Sequence, residues 1–440
     1  MKLLHVCLGC DKNLVDSERM IALAASAGFE ITDDENEADV IVINTCCFIL
    51  DAKQESIDTV LEMARLKDNK LKALIVCGCL AKRYREEIQK EIPEVDAIVA
   101  PDELEDIVKI IGSVLEVSDK ESCRDMNDRS RRRMITTPGH YEYLKIAEGC
   151  NKNCTYCIIP KIRGTYRSVP MDELLAEAEE LAGQGVKELI LVAQETTLYG
   201  VDLYGRKALP ELLCKLSDIE GIQWIRLLYA YPEEITDELI EVMSTNPKIC
   251  HYIDMPIQSA SDNVLVRMGR KTRRDEIEKI VSKLRSAMED ICIRTTLISG
   301  FPGEEQSDHE ETYRFVNETE FDRLGVFAYS AEEGTPAYDF DGRVSEEIAN
   351  ARREELYVLQ QAIAFEKNEE MKGRTIRVIV DGSLPEEGVY VARSYRDAPD
   401  IDGLVFVRSD IELMTGDMVD VIITGAKDYD LEGVMANESA

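Results

Sequence analysis

The feature that most constrains the fold is a repeated alternation of short apolar runs with amphipathic stretches. Six runs of strand length follow residue 140, separated by segments with helical periodicity. Strands that alternate with helices build parallel sheets, since a parallel connection needs a crossover. Six units are too few for a closed eight-stranded barrel, so we expect an open, partial barrel with its site at the carboxyl ends of the strands. The predicted strands are Tyr143–Ala147, Glu188–Ala193, Trp224–Leu228, Tyr252–Met255, Ile293–Ile298 and Leu324–Tyr329.

The flanking segments predict two further domains. The amino-terminal segment alternates four apolar runs with four helical stretches, a pattern typical of a small parallel α/β sheet. Beyond the predicted helix Glu346–Lys372 the periodicity changes to 2, which predicts a small β-barrel. The predicted amino-terminal strands are Leu3–Cys7, Val40–Asn44, Ala73–Cys77 and Ala97–Val99, and the helices are Leu14–Ala27, Ala52–Leu66, Lys82–Glu91 and Glu103–Leu115. The carboxyl-terminal strands are Thr375–Val380, Gly388–Ser394, Leu404–Val407 and Met418–Thr424.

The predicted fold class is therefore α/β, with three domains and one linker. We expect a parallel α/β domain over residues 1–118, a linker over 119–138, a partial (β/α)6 barrel over 139–372 and a small antiparallel β-barrel over 373–440. The linker lacks apolar periodicity and contains the arginine run 129–133. A solvated turn, pairing with the acidic surface, or a phosphate or substrate contact would each explain these arginines.

Three cysteines, Cys150, Cys154 and Cys157, lie in the loop after the first predicted barrel strand with the spacing C-x3-C-x2-C. A closed structural metal site takes four protein ligands, whereas a 4Fe-4S cluster on three thiolates leaves one iron open for another ligand. A zinc site or buried thiols are the alternatives, although no His or fourth Cys lies nearby at a zinc-ligand spacing.

A second set of cysteines, Cys10, Cys46 and Cys79, follows three of the amino-terminal strands. Because the carboxyl ends of neighbouring parallel strands share one edge of a sheet, we expect these thiols to converge. The adjacent Cys7, Cys47 and Cys77 are interpreted as small buried hydrophobes. The isolated cysteines receive the same interpretation, and the four histidines show no clustering and receive no ligand role. These residues are Cys123, Cys214, Cys250, Cys292, His5, His140, His251 and His309.

Composition limits the setting and the partners. The chain has an odd number of cysteines, 13, and neither an export signal nor an apolar stretch of about 20 residues. We therefore expect a cytoplasmic protein whose cysteines serve metal or redox chemistry. With 86 acidic and 52 basic residues, a net charge of -34, the surface repels nucleic-acid phosphates and attracts basic partners. Residues 373–440 alone carry 14 acidic and 6 basic residues, a difference of 6 - 14 = -8.

The cysteine loop, with Tyr156 before its last cysteine, resembles the signature of the radical S-adenosylmethionine (SAM) enzymes. Along its whole length the chain is similar to the radical-SAM methylthiotransferases, whose carboxyl-terminal β-barrel is the TRAM domain. The resemblance is closest to the branch that modifies an aspartate in a basic protein of the small ribosomal subunit, although Cys7 and Cys47 stand where that branch usually has Ser and Gly. The stretches that carry this likeness are Gly9–Glu18, Tyr252–Gln258, Glu332–Thr335 and Tyr429–Gly433.

The resemblance implies the cofactors and the chemistry. It implies one 4Fe-4S cluster on Cys10, Cys46 and Cys79, and a second on Cys150, Cys154 and Cys157 that cleaves SAM to an adenosyl radical. The radical would take hydrogen from the aspartate β-carbon, which would then receive a methylthio group assembled at the first cluster. It also implies a shared cavity for both clusters and an electron donor such as flavodoxin or ferredoxin, and no membrane partner.

The resemblance also places candidate SAM contacts outside the cysteines. Gln194 and Glu195 occupy the position where family members often contact the SAM amino group. The stretch from Gly300 to Gly303 lies where the adenosine would pass, and each of these positions could equally be ordinary loop structure. Tyr156 would line the adenine pocket or pack under the cysteine loop.

Three other functions remain open at this point. A tRNA adenosine methylthiotransferase would keep the chemistry and change the substrate, and it predicts a basic patch on the carboxyl-terminal barrel. A non-catalytic iron-sulfur protein would carry electrons or sulfur and would not cleave SAM. A radical-SAM enzyme with a purely structural first domain would hold about four irons per chain instead of about eight.

Overall fold

The structure is a computed structural model that describes residues 1–116 and 133–436. The described residues form two compact units. The first consists of residues up to Thr136 together with Glu148–Lys152 and Cys157–Arg167. The second consists of Thr137–Ala147, Asn153–Tyr156 and the chain from Ser168 onward. Cys123 and the linker arginines Arg129, Arg131 and Arg132 lie outside the described residues.

The first unit contains a five-stranded parallel sheet, in the order β2-β1-β3-β4-β5. All six residues of β3 and of β4 are buried, as expected for the centre of a sheet covered on both faces. The four predicted strands are present. The two-residue β2 was not predicted, because two residues are too few to show periodicity. The strands are β1 Lys2–Cys7, β2 Glu30–Ile31, β3 Val40–Thr45, β4 Ala73–Gly78 and β5 Ala97–Val99.

The helices of the first unit cover both faces of this sheet with separate hydrophobic clusters. The single helix predicted over 82–91 was wrong, because the backbone leaves helical geometry at Tyr84 (φ -125°, ψ 36°) and splits it. The first half begins directly at Cys79, the residue after β4. The helices are Asp11–Ser26, Leu50–Ala64, Cys79–Arg83, Arg85–Glu91, Ile107–Val114 and Ile159–Arg163, with 3-10 turns at Arg65–Asp68 and Leu104–Asp106.

Arg133 of the predicted linker is buried and pairs with Glu18 in the helix Asp11–Ser26. Its Nε donates to Glu18 Oε2 at 3.0 Å, while Glu18 Oε1 accepts from the backbone N–H of Thr136 at 2.7 Å. Both partners of the pair are almost inaccessible, with side-chain exposures of 1% and 0%. Of the explanations offered for the linker arginines, intramolecular pairing applies to Arg133, but its partner Glu18 is buried and does not belong to the acidic surface.

The second unit contains a six-stranded, all-parallel sheet in the order β13-β12-β11-β10-β9-β6. The order follows the chain, and β6 and β13 are not paired with each other, which confirms the open partial barrel. The six strands are β6 Tyr141–Lys145, β9 Glu188–Val192, β10 Trp224–Leu227, β11 Ile249–Asp254, β12 Cys292–Ser299 and β13 Arg323–Ala328. The short strands β7 Ala147–Glu148 and β8 Arg167–Ser168 form a separate two-stranded sheet.

Helices connect these strands, as the alternation predicted. The longest, Glu346–Glu369, is capped by Ser345, whose hydroxyl accepts from the backbone N–H of Ile348, and it runs along β12 and β13. The helices are Met171–Gly183, Val201–Tyr204, Leu209–Ser217, Asp237–Thr245, Asp262–Arg267, Arg274–Ala287, Gln306–Thr319 and Glu346–Glu369, with 3-10 turns at Pro232–Glu234 and Pro336–Asp339. In the described residues, no helix is long and apolar enough to cross a membrane.

The carboxyl-terminal strands close into a five-stranded barrel in the order β14-β15-β16-β18-β17. The predicted antiparallel pairing needs a correction, because β16 pairs with β18 in parallel. A closed barrel with an odd number of strands cannot alternate direction throughout. The strand β18 was not predicted, and its Gly433 weakens the strand pattern. The strands are β14 Thr375–Leu384, β15 Val389–Ser394, β16 Val405–Arg408, β17 Met418–Lys427 and β18 Asp430–Met435.

A buried ion-pair network joins this barrel to the parallel sheet within the second unit. Glu188, at the start of β9, accepts from Arg226 Nε at 2.7 Å and from Arg393 Nη1 of the barrel at 2.8 Å. Arg226 Nη1 also donates to the carbonyl of Tyr395 at 2.7 Å. His140 Nε2 lies 2.6 Å from Asp381, a second carboxylate that pairs with Arg393. Charged side chains thus fix the barrel against the sheet.

Candidate functional site

The amino-terminal cysteines Cys10, Cys46 and Cys79 lie at one edge of the first sheet. Each follows one of the neighbouring strands β1, β3 and β4, at its carboxyl end. The register aligns these ends, because Cys7 pairs with Asn44 and Asn44 pairs with Cys77. The predicted convergence therefore follows directly from the order of the strands.

The thiols of these three residues are close enough to influence one another. Burial raises the pKa of Cys46 to about 11, and the neighbouring Cys79 and Cys10 act in the same direction. Burial also raises the pKa of Cys79, while the guanidinium of Arg163 lowers it. Burial thus favours the neutral thiols of Cys46 and Cys79 until a metal or a cation stabilises their thiolates.

The other cysteines divide into buried and exposed thiols. Cys47 and Cys77 are 0% exposed, as predicted for small hydrophobes, and burial raises the pKa of Cys47 to about 12. Cys7 is half-buried, and Cys250 and Cys292 are buried. The prediction was wrong for Cys214, which is exposed on the helix Leu209–Ser217. Its apolar neighbours face the core, and the helical pitch turns this position outward.

Arg163 is a buried charge with several partners in the first unit, and it was not singled out from the sequence. It ends the helix Ile159–Arg163, and only 2% of its side chain is exposed. Its Nη1 donates to Asp16 Oδ2 at 2.9 Å and to Glu148 Oε2 at 3.2 Å, and its Nη2 donates to Asn13 Oδ1. Arg163 therefore links the helix Asp11–Ser26, which follows Cys10, to Glu148 of β7, which precedes Cys150.

The second cysteine stretch is held by a tight turn around Cys150. Gly149 has a φ of +78°, and a Cβ there would lie 2.3 Å from the carbonyl of Thr165, so only glycine fits. The N–H of Cys150 donates to the carbonyl of Gly164 at 3.2 Å. Its sulfur accepts from the N–H of Lys152 at 3.4 Å, a bond that favours a thiolate. Cys150 and Cys157 belong to the first unit.

Cys154 belongs to the second unit, where the next residue, Thr155, is anchored to the last residue of the helix Asp262–Arg267 and to the residue that follows it. The N–H of Thr155 donates to the carbonyl of Met268 at 2.9 Å, and its hydroxyl donates to the carbonyl of Arg267 at 2.8 Å. The hydroxyl of Tyr231 lies 3.9 Å from the Cys154 sulfur. These bonds fix the middle of the cysteine loop.

The candidate SAM contacts all lie in the second unit, and the structure shows what the side chain or backbone of Tyr156, Glu195 and Gly300 contacts. Tyr156 is half-buried and packs with its ring edge-on to Phe301, 6.5 Å between centroids. Gln194 and Glu195 follow β9, where Glu195 is fully buried and accepts from the N–H of Thr197 at 3.0 Å. Gly300 has a φ of +76°, and a Cβ there would lie 2.3 Å from the Cβ of Ala349. Close packing against the long helix therefore accounts for this glycine.

The chemistry of the donors fits two iron-sulfur clusters. Each set offers three thiols, and each has a buried guanidinium nearby, Arg163 beside Cys79 and Arg270 beside Cys154. Cluster ligands bind as thiolates, which a neighbouring cation favours. Among residues 1–116 and 133–436, no three His, Cys, Asp or Glu side chains form a set that could hold a single metal ion.

We expect the two sets of thiols to load independently. Replacing Cys10, Cys46 and Cys79 together by Ala should reduce the iron content of anaerobically reconstituted protein from about eight to about four per chain. Iron analysis and the EPR spectrum of the reduced protein measure this change. The buried neighbours Cys47 and Cys77, each replaced by Ala, serve as controls that should keep the full iron content. Loss of iron in the controls alone would reassign the ligands.

Comparisons with known families cover most of the chain in three successive parts. Residues 2–100 match the uncharacterized protein family UPF0004, residues 144–316 match the radical SAM superfamily, and residues 373–435 match the TRAM domain. The order of these matches is the order in which the parallel α/β sheet, the partial barrel and the five-stranded barrel occur.

Relatives match over nearly the full length. The chain is 56% identical over 437 residues to a ribosomal protein uS12 methylthiotransferase RimO from Lachnoclostridium phytofermentans, covering 98% of this chain and 99% of that protein. The protein of the same name from Acetivibrio thermocellus is 49% identical, covering 99% and 98%. That from Clostridioides difficile is 47% identical, covering 98% of each.

Solved structures confirm the fold at low sequence identity. The radical S-adenosylmethionine methyltransferase TsrM from Kitasatospora setae, solved with cobalamin and a 4Fe-4S cluster bound, superposes with a TM-score of 0.56. It shares 13% sequence identity, and the match covers 91% of this chain and 82% of that chain. A likeness at this level of identity concerns the fold alone.

Proposed function

The chain belongs to the RimO family of radical-SAM methylthiotransferases, and on this basis we propose that it adds a methylthio group to the β-carbon of an aspartate in ribosomal protein uS12. The observation that carries the proposal is that the chain has an amino-terminal set of three thiols, Cys10, Cys46 and Cys79, at the edge of the first sheet, in addition to the cysteine loop 150–157. SAM cleavage alone needs only one cluster, whereas transfer of a sulfur group needs a site at which the sulfur is delivered.

The enzyme uses SAM and two 4Fe-4S clusters. We propose that Cys10, Cys46 and Cys79 hold one cluster and that Cys150, Cys154 and Cys157 hold the other. When bound, the cluster with SAM supplies a carbon-centred radical that can remove a hydrogen atom from an unactivated C–H bond. An aspartate β-carbon requires such chemistry, because a proton next to an anionic carboxylate is beyond an ordinary general base at neutral pH.

The residues of this chain contribute position and charge. Gly149 and the bond from Cys150 to Gly164 shape the start of the cysteine loop, and the two bonds of Thr155 hold its centre. Arg163 supplies a positive charge beside Cys79 in the first unit. A loop fixed by such bonds and a charge held in place need not reorganise during the reaction.

The surface of the carboxyl-terminal barrel supports a basic protein substrate over tRNA. Arg393 and Arg396 are buried and paired with carboxylates, so they add no positive charge to the surface. Among the described residues of this barrel, eight acidic side chains are exposed against four basic ones. The exposed acids are Glu386, Glu387, Asp400, Asp410, Glu412, Asp420, Asp428 and Glu432, and the exposed basic residues are Arg374, Arg377, Arg408 and Lys427. An acidic face attracts a lysine- and arginine-rich protein and repels RNA phosphates.

Charge reversal on this barrel should weaken the interaction with uS12. We expect the combined change Glu386→Lys, Glu387→Lys and Glu412→Lys to raise the KM for uS12 by roughly tenfold at low salt, because it removes electrostatic attraction, and to leave kcat nearly unchanged. Steady-state kinetics at two salt concentrations measure this. The combined change Glu220→Lys, Glu238→Lys and Glu241→Lys, at three exposed positions of the same unit outside the barrel, is the matched control. An equal rise in KM in the control would attribute the effect to net charge and not to this barrel.

The proposal is tested by mass spectrometry of purified uS12 incubated with reconstituted enzyme, SAM, sulfide and a reductant. Exchange of one hydrogen for SCH3 on an aspartate is the expected result. If uS12 stays unmodified while 5'-deoxyadenosine accumulates, the radical chemistry stands and the protein substrate is rejected, which makes tRNA the next substrate to test. We further propose that the enzyme acts in the cytoplasm, on free uS12 or on the assembled small subunit, with flavodoxin or ferredoxin as electron donor.

A further inference from the structure

Arg270 is a buried cation with open hydrogen-bond donors. Its side chain is almost inaccessible, since the residue is 3% exposed. Its Nη2 donates to the carbonyl of Pro256 at 2.9 Å, and the guanidinium lies over the ring of Tyr231, 4.3 Å from the centroid. Its Nε and Nη1 are buried and have no hydrogen-bond partner. Among the carboxylates of the described residues, none forms an ion pair with Arg270.

The backbone around Arg270 is fixed against the cysteine loop. Both bonds of Thr155 end on the carbonyls of Arg267 and Met268. Gly269 has a φ of +71°, and a Cβ there would lie 2.8 Å from the carbonyl of Asn153, so the two segments approach as closely as backbone allows. Arg270 therefore cannot move away from the loop that carries Cys154 without breaking this packing.

The groups that influence the charge of Arg270 include residues of the cysteine loop. Burial lowers the pKa of Arg270, but nearby Tyr156, Tyr231, Cys154 and Glu233 outweigh burial and raise the pKa above its ordinary value. Arg270 stays charged, and Glu233 lies near enough to favour the charge without accepting a hydrogen bond from it, so burying the open N–H groups is costly. The cost is recovered when an anion accepts its open donors, and a planar guanidinium binds a carboxylate best.

We propose that Arg270 binds a ligand carboxylate beside the cysteine loop during the reaction. Two ligands bring a carboxylate to this chemistry: SAM, through its amino-acid part, and the substrate aspartate, through its side chain. Only the second of these rests on the proposed function. Binding of either carboxylate would hold its carrier in a single orientation, the first requirement for selective hydrogen removal.

The test compares the reconstituted enzyme with Arg270→Met and Arg270→Lys. In the first arm, the Kd for SAM is measured without uS12. In the second arm, the affinity for uS12 is compared with that for uS12 whose target aspartate is replaced by asparagine. Loss of the charge-assisted bonds should weaken binding of the relevant carboxylate by roughly 10- to 100-fold in Arg270→Met, and by less in Arg270→Lys, which keeps the charge.

The two arms separate the sources. A weaker Kd for SAM with an unchanged aspartate-to-asparagine preference assigns the SAM carboxylate. An unchanged Kd for SAM with loss of that preference assigns the aspartate. If both stay unchanged, or if only the iron content changes, the proposal is overturned. The SAM arm also gives a result if uS12 is the wrong substrate, so the two proposals fail separately.

Arg274→Met is the matched control. It removes the same charge four residues further along, where the guanidinium pairs with Glu278, Glu311 and Glu318 on an outer helix face. Both affinities should equal those of the parent enzyme. The fluorescence of Trp224, the single tryptophan, reports whether the second unit of each variant is folded.

Discussion

Arg163→Ala should destabilise the first unit by about 3–5 kcal/mol, because it removes the cation from a buried cluster of charges. The guanidinium is 2% exposed and pairs with Asp16, whose side chain is 6% exposed, and with Glu148. Without it, carboxylates that were folded against a cation remain in a low-dielectric interior. Amide hydrogen exchange in β3 and β4 measures this loss, because the central strands of that sheet open only with the unit.

Two variants give the prediction its controls. Arg163→Lys keeps the charge but loses the planar fork, so we expect an intermediate loss of protection. Arg167→Ala, at an exposed position of the same segment, should change the free energy of opening by less than about 0.5 kcal/mol. Equal protection of β3 and β4 in Arg163→Ala and the parent would contradict the assigned role. Reconstituted iron should fall along with the protection, since Arg163 also stabilises the Cys79 thiolate.

Glu188→Gln should destabilise the second unit by a similar amount, about 3–5 kcal/mol. Glu188 is 0% exposed and compensates two buried guanidinium groups, those of Arg226 and Arg393. Glutamine keeps the volume but not the charge, so both cations lose their shared counterion. Trp224 pairs with Glu188 in the sheet, so its fluorescence in a urea titration reports unfolding at the right place.

Glu188→Gln should also make the free energy of unfolding less dependent on pH in the acid range. Burial raises the pKa of Glu188, but Arg393 and Arg226 outweigh it, so the net pKa lies below the ordinary value of 4.5. A depressed folded pKa contributes stability that is present above the unfolded pKa and is lost as the pH falls through the folded pKa. Below about pH 4.5 the parent should therefore lose this part of its stability, whereas Glu188→Gln should not. The exposed Glu220→Gln is the control, and a profile of Glu188→Gln as steep as that of the parent would reject the account.

Much of the fold could be predicted from local pattern. The strands of both parallel sheets and the cysteines that follow β1, β3 and β4 are visible in the sequence, because buried strands are apolar runs and turn residues follow them. The two-residue β2 and the glycine-containing β18 were missed, since neither shows a full strand pattern. Tyr84 divides a helix that the periodicity alone could not divide.

The buried charged residues of the site and of the barrel network could not be predicted from local pattern. Arg163 contacts Asp16 across 147 positions of the chain, and Arg393 contacts Glu188 across 205. Such pairs depend on which elements become neighbours in space, and a single sequence does not show that. Arg270 looks like one of several basic residues in a polar stretch until its burial and its open donors are seen. The cysteines were found because their spacing is itself a chemical pattern.

The ion-pair network at the carboxyl-terminal barrel limits how this domain can be exchanged during evolution or in the laboratory. Glu188 and Arg226 on the parallel sheet are matched to Arg393 and to the backbone of Tyr395. A chimera that takes its barrel from a distant relative would need both halves of this network, or it would bury charges without counterions. Recombination at the boundary near Gly373 should therefore yield folded hybrids only where the partner sequence supplies an equivalent arginine. Substrate preference would then be inherited together with a few buried charges of the catalytic domain.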